Sequence, residues 1–353
     1  MISSFLKIVI CFLLLTNTSV FSQSQKKSWT IKTRIQHGVE YDNNIEESRD
    51  FAQSDGLMKL VLNSKLKYFQ NKWFVQLNYH GGMQYYFASQ FENKYSHDFS
   101  GAVSYWQSRR IRIGGNFHTR LKAYSRRNWD YFLTDYETFI SFPFSRSELT
   151  FYYTLQGLNY LSYDQFDFGV NKFAMAFQTK LGKYNTIRLK GCLQNINFVR
   201  YALSYDPQLE EILIKGQKQK DKNSYFSFQW RYQKKWLLST EYLYQKNRSN
   251  SYGFSYQFHR ITLSAATHFK MGLLMRLFAG LQRKKYAEAL DKLIVTELDS
   301  ERERSNFVIL DFSKDLTGHL SALIRLSYYY NESPIPGRYY RKSLSSFSLE
   351  YRF

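Results

Sequence analysis

The sequence predicts an all-β chain: a transmembrane antiparallel up-and-down β-barrel of about 16 strands, with short turns at one end and longer loops at the other. Three observations predict it. The tail Phe347-Ser-Leu349-Glu-Tyr351-Arg-Phe353 is apolar at every second residue, the mark of a strand with one apolar and one polar face. Aromatic residues make up 19% of the chain, yet its mean hydropathy is -0.49. One-in, one-out alternation gives that combination, with aromatics at both bilayer surfaces and polar residues inside. The only prolines, Pro143, Pro207, Pro334 and Pro336, all fall where the alternation breaks. Proline is excluded from central ladder positions, so long proline-free runs fit a sheet without edges.

Residues 1–22 read as an export signal, and residues 23–353 as the barrel. Lys7 supplies the positive charge, Ile8 to Leu15 the apolar core, and Val20-Phe21-Ser22 the cleavage pattern before Gln23. Cys11 lies in the leader, so Cys192 is the lone thiol of the mature chain and reads as a small core residue.

Trp29-Ile31-Thr33-Ile35 opens the first strand, which runs to Tyr41 before a polar loop from Asp42 to Gly56. Met58 to Tyr68 returns, and Gln70-Asn71 turns tightly into Trp73-Val75-Leu77-Tyr79. Further tight turns are predicted at Gln107-Ser108, Pro143 to Arg146, Gly182-Lys183, Gln233 to Lys235, Met271-Gly272 and Asp315 to Gly318. Longer polar connections are predicted at Tyr201 to Asn223 and Ala287 to Ser305. The apolar phase flips between Phe258 and Ile261, which predicts a bulge at His259-Arg260 and keeps the count even. Strands of roughly 11 to 15 residues then fill the chain, with 14 or 18 strands as the alternatives to about 16. A soluble β-sandwich explains neither the aromatic excess nor the alternation of short and long connections.

The bare phenylalanine at the tip of the last strand resembles the outer-membrane proteins of double-membraned bacteria. That resemblance implies a cell outer membrane location and an assembly signal at Phe347, Leu349, Tyr351 and Phe353, read by the barrel-assembly machinery. It also implies contact with outer-membrane lipid and lipopolysaccharide. Three further stretches are Val39-Glu40-Tyr41-Asp42-Asn43-Asn44-Ile45, Asn250-Ser251-Tyr252-Gly253-Phe254, and Tyr328 to Ser333 followed by Tyr339-Tyr340. Together they resemble porin-like β-barrel families encoded beside exopolysaccharide-secretion genes, and more distantly the barrel of surface lipoprotein assembly modifiers. The modifiers carry a helical domain before the barrel, whereas here the first strand is expected within a few residues of the cleavage site. The resemblance therefore implies a porin-like channel rather than lipoprotein export.

The formal net charge of +20 is spread along the chain instead of being gathered in one module, and export removes nucleic acid as a partner. Residues lying between the apolar ones should face the lumen. Among them are Lys32, Arg34, Lys59, Lys65, Lys67, Arg112, Arg120, Arg188, Lys190, Arg231, Arg276 and Arg325, against fewer acids: Glu40, Glu137, Glu148, Glu241 and Glu350. Basic rings select anions in pores, so the expected cargo is an anionic solute or an acidic exopolysaccharide. In the bland reading these charges only solvate and cross-link a plugged lumen.

Trp73, Tyr105, Trp106, Tyr232 and Trp236 flank tight turns, and Tyr85, Tyr86, Trp129, Tyr131, Tyr244, Tyr329 and Tyr339 lie towards the loops. Both sets read first as interfacial girdles. The run Lys215 to Lys222 reads as a basic loop able to meet lipopolysaccharide phosphates, and more simply as a solvated one. Glu46, Glu47 and Asp50 offer oxygen ligands without the spacing of a known cation loop, so no metal and no cofactor is expected. His80, His118 and His268 are expected to face the lumen, and His37 and His97 outward, none in a local catalytic motif. The alternatives to a channel are a non-conducting structural or docking barrel and an outer-membrane lipid-modifying enzyme.

Overall fold

The computed structural model describes residues 28–48, 50–126, 129–288, 306–331 and 340–353. The expected export signal, Pro334, Pro336, Tyr339 and most of the connection from Ala287 to Ser305 lie outside those residues. Sixteen strands follow one another: β1 (Ser28–Asp42), β2 (Asp55–Gln70), β3 (Trp73–Tyr86), β4 (Lys94–Ser108), β5 (Ile111–Tyr124), β6 (Tyr131–Pro143), β7 (Ser147–Tyr160), β8 (Phe168–Leu181), β9 (Asn185–Asp206), β10 (Glu211–Gln233), β11 (Trp236–Ser249), β12 (Tyr256–His268), β13 (Leu273–Tyr286), β14 (Asn306–Asp315), β15 (Leu320–Asn331) and β16 (Tyr340–Arg352). Each pairs antiparallel with its sequence neighbours, and β16 returns to β1 to close the barrel. Closure gives each of these sixteen strands a neighbour on both sides, so none is an edge strand, as a sheet in hydrocarbon requires.

At the seam Arg34 to Asp42 run against Arg352 to Leu344. Gly38 lies opposite Ser348, and a Cβ at Gly38 would come within 2.5 Å of the Phe347 carbonyl, so a glycine lets the two strands meet. The chain's last amide, Phe353 N, donates to Thr33 O at 3.0 Å, and Arg352 N to His319 O at 2.7 Å.

Tight turns gather at one end. Gly182, with φ +68°, and Asn71, with φ 52°, supply the left-handed turn residues after β8 and β2. The opposite, loop end repeats a different device. The last ladder N–H of a rising strand is taken by an Asn or Asp beyond it: Tyr86 by Asn93 Oδ1 at 2.7 Å, Tyr124 by Asp130 Oδ1 at 2.7 Å, and Tyr160 by Asp167 Oδ1 at 2.6 Å. A donor that the opening hairpin would orphan is thus satisfied locally.

Two expectations are corrected. Tyr201 to Asn223 is not a loop: β9 and β10 run for 22 and 23 residues and pair as far as Asp206 with Glu211, around a short turn holding Pro207. Above an apolar belt both faces of a hairpin are wet, so its strands carry no alternation to read. No bulge occurs at His259-Arg260 either, because β12 pairs without a shift on both sides. Phe258 points inward, only 5% exposed, between Gln245 and Lys284, while Ile261 points outward at 50%. The irregular registers lie elsewhere, between Trp106 and Ser108 and between Ile214 and Lys220.

Candidate functional site

Following the register around the ring assigns every strand residue to one of two faces, since paired residues share a face and neighbours along a strand alternate. The outward face carries the large exposed apolar residues, including Phe347, Leu349, Tyr351 and Phe353. Trp29 meets Tyr68 at 4.4 Å and Trp73 meets Tyr105 at 4.7 Å between ring centroids, forming a girdle at the turn end. Other aromatics turn inward: Tyr86 and Tyr131 are buried, and Trp106 and Tyr329 share the face of Arg112 and Arg325. For these four the girdle reading is corrected, because each stands in the same phase as charged residues of its own or the adjoining strand.

Lys32, Arg34, Lys59, Lys65, Lys67, Arg112, Arg120, Arg188, Lys190, Arg231, Arg276 and Arg325 all stand on the inward face. Their partners set two groups apart, while Arg188 and Lys190 lie against Tyr152. In one group, cations meet acids. Asp311, 1% exposed, takes Arg325 Nε and Nη2 at 2.7 and 2.9 Å, and Arg276 Nη2 at 3.3 Å. Asp98 takes Arg120 Nη2 and His118 Nε2, both at 2.7 Å. Lys59 reaches Glu40 at 2.5 Å, and Arg112 reaches Glu148 at 2.6 Å.

At the turn end of β1 and β2 the pattern differs. Lys32 lies directly opposite Lys65, with Lys67 opposite Thr30 and Arg34 opposite Asn63. Among the described residues only Arg34 of this cluster has an acidic partner, Glu350 at 3.6 Å, and Glu350 is shared with Arg352 at 2.9 Å. Like charges directly opposite across an antiparallel pair are destabilising. This cluster therefore works against the fold and needs another explanation.

The loop end of the interior is narrowed by the connections. Ile45, in the connection after β1, packs on inward Leu57 and Tyr86, and Asn44 Nδ2 ties that connection to Arg341 O at 3.0 Å. Lys342 Nζ draws Asp42 and Glu47 together at 2.9 and 3.3 Å, so Glu47 is bound to a lysine. Phe166 joins Tyr131, Leu158 and Tyr160. Arg200 lies over the rings of Phe198 at 4.7 Å and Phe254 at 4.5 Å, and Lys122 over Tyr124 at 4.9 Å. At two places on this mouth a cation thus lies over aromatic rings.

His118 faces Ser100 across β4 and β5, but the Ser100 hydroxyl accepts a hydrogen bond from Asn78 Nδ2 at 3.1 Å. His80 and His268 face inward, while His37 and His97 face outward. Cys192 is buried on the inward face opposite Tyr225.

Sequence reasoning missed Asp98, Asp311, Lys122, Lys172 and Lys342. The signal was present: Val308, Leu310 and Phe312 set the outward phase of β14 and leave Asp311 inward, as Phe173 and Met175 do for Lys172.

No family model matches the chain, and no curated protein matches it in sequence. Solved structures similar in fold include OccAB1 of Acinetobacter baumannii, at 10% identity and a TM-score of 0.48, covering 94% of this chain and 99% of that one. The anion-selective porin from Comamonas acidovorans is similar at 11% identity and a TM-score of 0.47, covering 93% and 100%. A bacterial polysaccharide outer membrane secretin is similar at 8% identity and a TM-score of 0.45, covering 92% and 98%. These are likenesses of architecture.

Proposed function

We propose that the chain is a porin-like channel of the outer membrane whose basic interior passes anionic solutes. The observation that carries this reading is the cluster of Lys32, Arg34, Lys65 and Lys67, where like charges face each other with one shared acid nearby. Destabilising charge kept on an inward face is charge directed at something else in the lumen. A ring of sixteen strands is wide enough to leave water inside, and a low-dielectric wall concentrates the field of those cations. Planar-bilayer recording of the refolded chain tests the reading. A stable conductance with a reversal potential set by the anion gradient supports it, and cation selectivity would sink it.

A second reading is a conduit for an acidic polysaccharide. The rings of Tyr124, Phe198 and Phe254 beneath Lys122 and Arg200 support it, because sugar faces stack on aromatics while carboxylates meet cations. Addition of uronic-acid oligosaccharides should then block the current in a length-dependent way, while neutral oligosaccharides of equal length should not.

The outward phase of Phe347, Leu349, Tyr351 and Phe353 supports their reading as the assembly signal for the barrel-assembly machinery. Phe353→Ser should lower the yield of heat-modifiable folded barrel in cells and leave single-channel conductance unchanged.

A further inference from the structure

Most of the upper outer wall is uncharged: on β1 to β6 its residues at the loop end include Tyr41, Met58, Tyr85, Tyr95, Leu121 and Phe132, all exposed. The sector formed by β10 to β13 is different. Lys222 pairs with Arg248, Lys246 with Gln257, Gln257 with Lys285, and His259 with Arg283. All these side chains stand on the outward face, with Lys220 one step above Lys222. Lys220, Lys222, Arg248, Arg283 and Lys285 are exposed and Lys246 is half-buried. Among the described residues, no Asp or Glu shares these rows or pairs with these six cations.

Immediately below, the same four strands are apolar. Leu273, Met275, Leu277, Ala279 and Leu281 climb the outward face of β13 before Arg283 and Lys285 begin. Phe226, Tyr242 and Ile261 continue that wall on β10, β11 and β12. The expected basic run thus divides. Lys215 Nζ is spent on Asn250 O at 2.9 Å and Lys218 lies over the Tyr201 ring at 4.1 Å, while Lys220 and Lys222 join cations from two other strands, β11 and β13.

We infer that this sector binds a multiply phosphorylated lipid of the outer leaflet, its phosphates on the six cations and its acyl chains on the apolar wall beneath. The inference rests on the wall facing lipid, as proposed above, and is independent of conduction. A cationic band directly above an apolar one matches a ligand that is anionic at its head and apolar below it. Four adjacent strands span ~14 Å, wider than a single phosphate, so the headgroup must carry anions at more than one point. A water-soluble polyanion would meet the cations alone, whereas a lipid meets the cations and the apolar wall together. Both Arg residues add forked, charge-assisted hydrogen bonding suited to phosphate oxygens.

The test uses the full chain refolded in detergent and titrated with lipid A, a bisphosphorylated acyl disaccharide, followed by native mass spectrometry. A patch variant carries Lys222→Glu, Lys246→Glu, Arg283→Glu and Lys285→Glu. A control of equal charge change carries Lys183→Glu, Lys234→Glu, Lys235→Glu and Lys314→Glu at the turn end. Heat-dependent gel mobility establishes that each has folded. The patch variant should bind lipid A at least tenfold more weakly, since each basic residue near a lipid surface contributes roughly 1 kcal/mol, while the control stays within about twofold. Arg283→Gln with Lys285→Gln, which keeps the charge change small in case the fourfold variant does not fold, should lose about threefold or more. Equal loss in patch and control variants, absence of lipid A binding to the parent chain, or displacement of lipid A by millimolar inorganic phosphate would each overturn the inference. Reversal potential serves as the separate readout: it should be the same in parent and patch variant, so failure of lipid binding and failure of the channel reading are told apart.

Discussion

On β13 to β15, Arg276 and Arg325 close on one buried carboxylate, Asp311, whereas on β1 and β2 Lys32 stands opposite Lys65 with Lys67 beside them and no acid of their own. Both regions line the same interior, and they handle charge in opposite ways. A cation held against a carboxylate at hydrogen-bond distance adds little to the potential felt by a passing ion, but it ties two strands together. An unpartnered cation does the reverse, straining the strand pair and projecting its field into the water. On the proposed channel function, wall stability and ion selectivity therefore belong to different residues of one face.

The sharpest way to break this comparison is Asp311→Ala. It leaves two arginines side by side on neighbouring strands and should lower stability by about 2 kcal/mol, a value reduced because both arginines remain partly exposed. The midpoint of the heat-modifiable gel shift reads this loss, and an unchanged midpoint would show that the triad carries no stability. Next comes Lys32→Glu combined with Lys65→Glu and Lys67→Glu. The anion-to-cation permeability ratio should fall about tenfold without loss of thermal stability, since no ion pair is broken. If selectivity survives in the triple variant, the field arises elsewhere in the lumen.

Asp98→Asn frees Arg120 and His118 together, yet Arg120 is 42% exposed and water can replace the carboxylate. The expected loss is about 1 kcal/mol by thermal melting, with a modest gain in anion selectivity. The smallest effect is that of salt. Raising ionic strength from ~0.1 to ~1 M shortens the Debye length from roughly 10 to 3 Å, which should flatten selectivity while shifting the melting midpoint little. A midpoint that falls in step with selectivity would mean that the two regions are not separable.

Much of the ring was legible in the sequence because an apolar wall imposes period two wherever a strand crosses it. Trp29 to Tyr41, Met58 to Tyr68 and Leu320 to Tyr328 read directly as strands, and the tight turns fell where Gly182, Asn71 and Gln233 to Lys235 interrupt them. The pattern misleads where the interior offers its own apolar shelter. Phe258, Leu57 and Leu158 point inward because connections or neighbouring strands cover them at the loop end, and a phase read from apolarity alone turns the first of these into a bulge. It falls silent on the upper halves of β9 and β10, where neither face meets an apolar phase. For the interior charges the phase could be read, but the pairing could not. Which arginine shares Asp311, and that Lys32 meets Lys65, depends on the register between strands, which no single strand encodes.

The seam between β1 and β16 has a consequence for how the ring is made. Every other pairing joins consecutive strands, whereas Ser343 N meets Asn43 Oδ1 across a sequence separation of 300. Joining ends so far apart in a free chain is about 2 kcal/mol less favourable than closing a hairpin of ~20 residues. The hairpins can therefore zip locally, while closure waits for both chain ends to be held near one another. Until then β1 and β16 present two open ladders in a medium that tolerates neither. A template that lends one of them a temporary partner would remove the slowest and most exposed moment of the chain's folding, and Phe353, hydrogen-bonded to Thr33 in the finished ring, lies where such a template would have to let go.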